Sequence, residues 1–103
     1  YYRNFTTELN SKLVNFPYKV YLFGAHIFSQ YLLAFNLDQN KIEGILDNSS
    51  LKIGKRLYGT NLTVFEPKII ANENVGVILK VGTYRNEIIE QLKKINPNVT
   101  IFE

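Results

Sequence analysis

Residues 19–33 read KVYLFGAHIFSQYLL, a short apolar run that passes through Gly24 and Ala25 into apolar residues at helical spacing. The run is rich in β-branched and aromatic residues and nearly continuous in apolarity, which is typical of a parallel strand buried on both faces. A buried strand that turns directly into a helix is how nucleotide-binding α/β units begin. The glycine pattern G-x-G-x-x-G is nevertheless incomplete, because His26 and Ser29 occupy its second and third glycine positions.

The rest of the chain alternates predicted strands and helices joined by short links. The apolar spacing assigns helices to 5–16, 26–36, 66–72 and 83–96, and strands to 19–23, 41–47, 61–65, 75–82 and 99–102. Alternation of this kind predicts an α/β fold with a parallel sheet and right-handed crossovers. We therefore expect a Rossmann-like three-layer sandwich whose sheet of about five strands has the order 3-2-1-4-5.

Composition excludes several kinds of site. The 103 residues contain no cysteine and one histidine, so disulfides and cysteine-based metal or catalytic sites are absent. The acidic residues are scattered and form no evident nucleophile–base pair, so we assign no catalytic and no metal-binding residue. The net charge of +3 arises without a basic block, and no apolar run approaches the ~20 residues of a membrane span. Neither nucleic acid nor a membrane is therefore an expected partner.

The carboxyl ends of the first and fourth strands form the expected binding edge, because ligands collect in such sheets where the strand order reverses. Two predicted loops, 24–28 and 82–86, meet there, and the end of the second strand lies beside the first loop. Each loop leads into a predicted helix whose free N–H groups and partial positive charge favour an anion. The candidate substrate-binding residues are Gly24, Ala25, His26, Asp47, Thr83, Tyr84 and Arg85.

The polar candidates each have a structural alternative. His26 fills space that a glycine would leave for a pyrophosphate, so it either bonds a phosphate or sugar hydroxyl or is an exposed residue at a helix start. Asp47 lies about 20 residues after the glycine turn, like a ribose-binding acid, but Asp-Asn-Ser-Ser also begins turns, and the missing glycines favour the turn. Arg85 can form bidentate hydrogen bonds to a phosphate, and Tyr84 can stack on a base, although a loop arginine is commonly solvated.

Three stretches carry a resemblance to a known family: YLFGA at 21–25, GILDNSSLKIGKRLYGTNLTV at 44–64 and VILKVGTYRNEIIEQLKK at 77–94. They resemble the C-terminal domain of the sugar C-methyltransferases that act on nucleotide-linked sugars, over roughly residues 19 to 102. The residues that match the family pattern are Asp47, Lys52, Gly54, Lys55, Gly59, Thr60, Glu87 and Ile88. The chain departs from the pattern at His26 and Ser29, and at Gly82-Thr83, where the family often has an aromatic residue and Asn.

The resemblance implies one part of a three-part enzyme. A small zinc-binding domain and a central S-adenosylmethionine domain would lie upstream, so both cofactors and the methyl transfer would belong to them and none to this domain. Residues 1–17 would be the connector helix from the upstream domain, and residues 18–103 the Rossmann-like C-terminal domain. This domain would pack on the upstream methyltransferase domain and help hold a nucleotide-linked sugar in the cytoplasm, for polysaccharide or secondary-metabolite biosynthesis. The lack of an initial methionine favours a piece of a longer chain.

Two other function classes stay open. One is a nucleotide-binding or NAD-sensing module, as in the Rossmann domains of nucleotide-sugar dehydratases, for which Asp47 would be needed. The other is a purely structural or dimerising domain, in which the aromatic residues Tyr1, Tyr2 and Phe5 would either form the contact surface of a homodimer or be the cut end of a longer chain.

Overall fold

The structure is a computed structural model that describes residues 2–24, 41–56, 62–79 and 85–102. Its elements are α1 (Tyr2–Val14), β1 (Lys19–Phe23), β2 (Ile42–Leu46), β3 (Val64–Phe65), a 3-10 helix (Pro67–Ile70), β4 (Val75–Ile78), α2 (Arg85–Ile95) and β5 (Thr100–Phe102). Each element lies within or overlaps a segment predicted from the sequence. The predicted helix at 26–36 and the candidate residues Ala25, His26, Thr83 and Tyr84 lie outside the described residues.

The five strands run parallel in one sheet with the order β3-β2-β1-β4-β5, which confirms the predicted Rossmann-like α/β fold. The central strand is β1, whose Leu22 pairs with Ile45 of β2 on one side and with Ile78 of β4 on the other. The strand order reverses at this point, because the chain first adds β2 and β3 to one side and then β4 and β5 to the other. The carboxyl ends of β1, β2 and β4 therefore lie along one edge of the sheet.

The first face of the sheet is covered by α1. Val20 and Leu22 of β1 point to this face, since alternate residues of a strand point the same way. They pack in one buried cluster with Leu9 and Leu13, which lie four residues apart on α1 and thus on one side of the helix. Leu9 and Leu13 of the first predicted helix are therefore part of the core of this domain.

The opposite face is covered by α2 and the 3-10 helix. Tyr21 and Phe23 of β1 point to this face and share a buried cluster with Leu92 of α2 and Ile70 of the 3-10 helix. Three partly buried isoleucines flank Leu92 on α2 at helical spacing: Ile88, Ile89 and Ile95. Together the two covered faces form the expected three layers, helix on sheet on helix.

The first helix ends earlier than predicted. It stops at Val14 and not at Phe16, because the residue before a proline disfavours helical dihedral angles and Pro17 follows closely. Phe16 then lies over the sheet with its ring centroid 5.2 Å from that of Phe102. A Cβ on Gly76 of β4 would lie 2.5 Å from the Phe102 ring and 3.0 Å from the Phe16 ring, so a glycine is what lets both rings rest on the strand.

An antiparallel segment, residues 54–56, lies along the outer edge of β3, and we call it the edge arm. The Gly54 N–H donates to the Val64 carbonyl oxygen at 2.8 Å, and the Val64 N–H donates to the Lys55 carbonyl oxygen at 2.7 Å. The edge arm thus covers backbone groups that an edge strand would otherwise expose. The sequence analysis assigned neither a helix nor a strand to these residues. Gly54 has φ +86° and open space around the position of a Cβ, so its backbone conformation, and not crowding, favours glycine.

A buried amide joins the end of α2 to the loop before β4. The Asn96 side-chain nitrogen donates to the Ile70 carbonyl oxygen at 2.8 Å and to the Glu73 carbonyl oxygen. Its side-chain oxygen accepts a hydrogen bond from the Asn98 backbone N–H at 3.0 Å. Asn96 is 4% exposed, so these bonds replace water for a polar group in the core.

Candidate functional site

Gly24 ends β1 at the carboxyl edge of the sheet. Its N–H donates to the Leu46 carbonyl oxygen at 2.7 Å, which continues the ladder between β1 and β2 by one residue. Its φ of +105° lies in the region that favours glycine, so the sharp turn predicted from Gly24 is a property of the backbone there. The bond to Leu46, the last residue of β2, places Gly24 beside Asp47, the first residue after that strand.

Asp47 organises the turn that follows β2. Its N–H donates to the Phe65 carbonyl oxygen at 3.0 Å, so its backbone is held by β3. One of its carboxylate oxygens accepts a hydrogen bond from the Ser49 N–H at 2.8 Å, which is the side-chain-to-backbone bond of an Asx turn. The turn expected from Asp-Asn-Ser-Ser is therefore present. A ribose-binding role for the same carboxylate stays a prediction.

Arg85 is the first residue of α2 and lies on the carboxyl side of β4. Its guanidinium donates to the Asn86 side-chain oxygen at 3.1 Å in an exposed hydrogen bond. The amino-terminal end of a helix carries a partial positive charge, and the guanidinium adds a full one. Positive potential of this kind favours phosphate or carboxylate groups, although Glu87 in the same first turn offsets part of it.

Two side-chain amides join the turn after β2 to the middle of α2. Asn48 donates to the Gln91 side-chain oxygen at 3.0 Å, and Gln91 donates to the Asn48 side-chain oxygen at 2.8 Å. We call this reciprocal contact the amide pair. It connects residues 43 positions apart in the chain. Sequence reasoning missed it because neither residue belongs to a periodic pattern or a motif that indicates a partner.

An open pocket of about 210 Å³ lies beside the amide pair. It is lined by Asn48, Ile53, Glu66, Pro67, Lys68, Gln91 and Ile95. Its apolar surface comes from Ile53, Pro67 and Ile95, and its charged residues Glu66 and Lys68 form an exposed ion pair at 3.4 Å. The pocket therefore lies at the ends of β2 and β3, to one side of the reversal of strand order at which the sequence analysis placed the site.

No three His, Cys, Asp or Glu side chains within the described ranges come together as metal ligands. The pKa of Tyr21 is raised by its burial, and further by the negative charges of Glu43 and Glu73, so this phenol stays neutral at physiological pH. It lies on the face of the sheet under α2, away from the carboxyl edge.

Of the seven residues predicted for the site, the described part of the chain contains Gly24, Asp47 and Arg85. Gly24 and Asp47 are brought together by the bond between Gly24 and Leu46. Arg85 is the first residue of α2, and the amide pair connects α2 to the turn that Asp47 begins. Arg85 precedes Gln91 by six residues, which is about 9 Å along the helix axis. The three residues thus lie on neighbouring elements at one end of the sheet.

The fold defines the class of the protein as a Rossmann-like α/β domain, and the described candidate residues lie at the carboxyl edge of its sheet. Among known proteins, no family model matches the chain, and neither a curated protein nor a solved structure is significantly similar to it. Within the described ranges, no helix is long and apolar enough to cross a bilayer.

Proposed function

We propose that this chain is the substrate-binding C-terminal domain of an S-adenosylmethionine-dependent sugar C-methyltransferase and helps to hold a nucleotide-linked sugar. The observation that carries the proposal is the Gly24–Leu46 hydrogen bond of 2.7 Å, which brings the glycine turn and Asp47 to one point of the carboxyl edge. The sequence resemblance over residues 19 to 102 supplies the enzyme class. We place the enzyme in the cytoplasm, in polysaccharide or secondary-metabolite biosynthesis.

The mechanism proposed for this domain is binding alone. The start of α2 and Arg85 attract the phosphates of the substrate, because helix N–H groups and a guanidinium both pair with phosphate oxygens. Asp47 accepts a hydrogen bond from a sugar hydroxyl while it holds its turn. Ala25, His26, Thr83 and Tyr84, which lie outside the described residues, would complete the two loops: His26 and Thr83 toward phosphate and Tyr84 toward a ring.

The methyl transfer is assigned to the upstream methyltransferase domain of the same chain. A zinc site does not fit the residues present, because the chain has no cysteine and a single histidine and the described residues hold no cluster of three ligands. S-adenosylmethionine would supply the methyl group in the upstream domain, and no residue of this chain is given a part in that step.

A titration of the chain at fixed salt tests the proposal. Uridine, thymidine and guanosine diphosphates, NAD and S-adenosylmethionine would each be added while NMR follows the perturbed residues. We expect saturable binding of a nucleoside diphosphate with shifts at Gly24, Asp47 and Arg85. Arg85→Ala should weaken it about 10- to 100-fold, since a charged hydrogen bond contributes about 1.5–3 kcal/mol.

Lys94→Ala is the matched control, because it removes one positive charge from the exposed last turn of the same helix. If both variants weakened nucleoside diphosphate binding equally, the effect of Arg85→Ala would come from net charge alone. That result would contradict the proposal. Binding of NAD at Asp47 would instead favour the nucleotide-sensing module. No binding of any of the five compounds would overturn the substrate-binding role.

A structural or dimerising domain is the second candidate, and it is favoured by apolar exposure near the start of β1. Val14 is 66% exposed and Tyr18 is 50% exposed, on either side of Phe16. If this surface joins two copies, light scattering will show a dimer that Val14→Asp dissociates. A monomer across the accessible concentration range would remove this candidate.

A further inference from the structure

The pocket beside the amide pair has the dimensions of a site for one ring. Its volume of about 210 Å³ is below the roughly 300–1,000 Å³ of pockets that enclose drug-sized ligands. It is therefore suited to a single ring of a larger ligand and not to a whole nucleotide. The walls are partly apolar, with Ile53 and Ile95 on two different elements, so a flat ring would have aliphatic side chains to contact.

The charges at the pocket favour a neutral ring. Glu66 and Lys68 are 3.4 Å apart, so each charge is offset by the other and the pocket carries no net charge from this pair. A phosphate would gain little there, because Lys68 is already paired and its side chain is three-quarters exposed to water. The pocket thus suits a neutral group, whereas the positively charged start of α2 suits a phosphate at the same edge of the sheet.

The amide pair presents hydrogen-bonding groups in a specific arrangement. A primary amide has two N–H groups and a carbonyl oxygen with two lone pairs. Each amide uses one N–H and one lone pair in the reciprocal contact of Asn48 and Gln91. On each side of the pair, the second N–H of one amide then lies next to the second lone pair of the other. A donor and an acceptor stand side by side, about one hydrogen-bond length apart.

We propose that this pocket binds the base of the nucleotide-linked substrate, through a neutral planar ring that carries an N–H next to a carbonyl, as uracil, thymine and guanine do. The carbonyl of the ring accepts from one amide and its N–H donates to the other, while Ile53, Pro67 and Ile95 contact its faces. The inference rests on the proposed function, because it identifies the ring as part of the same substrate. The base then lies on the turn after β2, and the phosphates extend toward Arg85.

Nucleosides without phosphate test the pocket separately from the phosphate site. Uridine and thymidine should bind the chain saturably, with a Kd of about 0.1–1 mM for ligands of this size, and shift the side-chain amide signals of Asn48 and Gln91. N3-methyluridine has the same ring but no N–H beside the carbonyl. It should bind about tenfold more weakly, because one amide acceptor is left without its donor.

Gln91→Leu should reduce uridine affinity about tenfold, whereas Glu90→Leu, which places the same residue at the exposed neighbouring position of α2, should leave it unchanged. Asn48→Leu, in the turn after β2, gives a second variant if Gln91→Leu fails to fold. Binding of N3-methyluridine as tight as that of uridine, an unchanged affinity in Gln91→Leu, or no saturable nucleoside binding would overturn the inference.

The two proposals can fail separately. Nucleoside diphosphates that bind in an Arg85-dependent way, with affinities that Gln91→Leu does not change, would overturn the pocket assignment and leave the proposed function. Nucleosides that bind in a Gln91-dependent way, with no gain in affinity from the diphosphate, would support the pocket and contradict the phosphate site at Arg85.

Discussion

At the scale of single residues, Asn96 is a polar side chain buried in the described core, where it makes several hydrogen bonds. Its amide donates to the carbonyl oxygens of Ile70 and Glu73 and accepts from the Asn98 N–H, all in or near the core. Asn96→Ala takes the side-chain donor from the Glu73 carbonyl oxygen and the acceptor from the Asn98 N–H, and it leaves the Ile70 carbonyl oxygen with its 3.4 Å bond from the Glu73 N–H. Because an unsatisfied buried polar group costs about 1–3 kcal/mol, we expect the free energy of unfolding to fall by about that much for the variant, as measured by urea denaturation.

Asn98→Ala is the control for that measurement, because the Asn98 side chain is exposed and its backbone N–H remains. It should change the free energy of unfolding by less than about 0.5 kcal/mol. Equal effects of the two substitutions would show that the Asn96 bonds contribute nothing specific to stability.

Because of Tyr21, the free energy of unfolding of the domain depends on pH in the alkaline range. Its pKa is raised by burial, and then by Glu43 and Glu73, above the ordinary value of 10.0 that it regains on unfolding. Above about pH 10 the unfolded chain therefore releases the phenolic proton more readily than the folded one, and stability falls as pH rises. We expect Tyr21→Phe to reduce this fall, measured as the free energy of unfolding at about pH 9 and about pH 11. Tyr18→Phe, at an exposed position, should keep the wild-type slope.

At the scale of elements, the shortest strand of the sheet depends on the edge arm. β3 has two residues, and the Val64 N–H points away from β2 to the Lys55 carbonyl oxygen at 2.7 Å. The Val64 and Gly54 amides should therefore exchange with solvent deuterium more slowly than those of Ser50 and Leu51 in the exposed turn, because both are held by the same antiparallel pairing. Exchange of both amides as fast as that of the turn would show that the edge arm opens freely and does not protect β3.

At the scale of the whole molecule, α1 belongs to the same core as the sheet. Leu9 and Leu13 are buried against Val20 and Leu22, whereas the family resemblance implies that this helix is a connector from an upstream domain. The connector role stays a prediction. Leu13→Ala should lower the free energy of unfolding by about 2–5 kcal/mol, because it leaves a cavity in the first face of the core.

The comparison for Leu13 is Lys12→Ala, at the exposed neighbouring position of the same helix. It should have an effect of less than about 0.5 kcal/mol in the same urea denaturation. If Leu13→Ala were as stable as Lys12→Ala, α1 would not be part of the cooperative folding unit, and residues 18–103 would form the domain without it.

For the described part of the chain, the sequence by itself determined the kinds of element, their order along the chain and the strand order. These follow from local physics: a continuous apolar run such as 19–23 needs cover on both faces, Leu92 and its flanking isoleucines recur at helical spacing, and right-handed crossovers leave few topologies. It also determined the turns at Gly24 and Asp47, because a turn depends on residues that are adjacent in the chain.

Only the tertiary structure decided which polar groups meet across the chain. The amide pair joins positions 43 apart, Asn96 reaches back to the turn at 70–73, and the edge arm pairs with β3 where the sequence indicated neither a helix nor a strand. Such contacts leave no periodic trace, since a hydrogen bond needs a partner within about 3 Å and sets no spacing in the sequence. The position of the pocket at the ends of β2 and β3 follows from these contacts, and for that reason the sequence could predict the edge of the sheet but not the pocket on it.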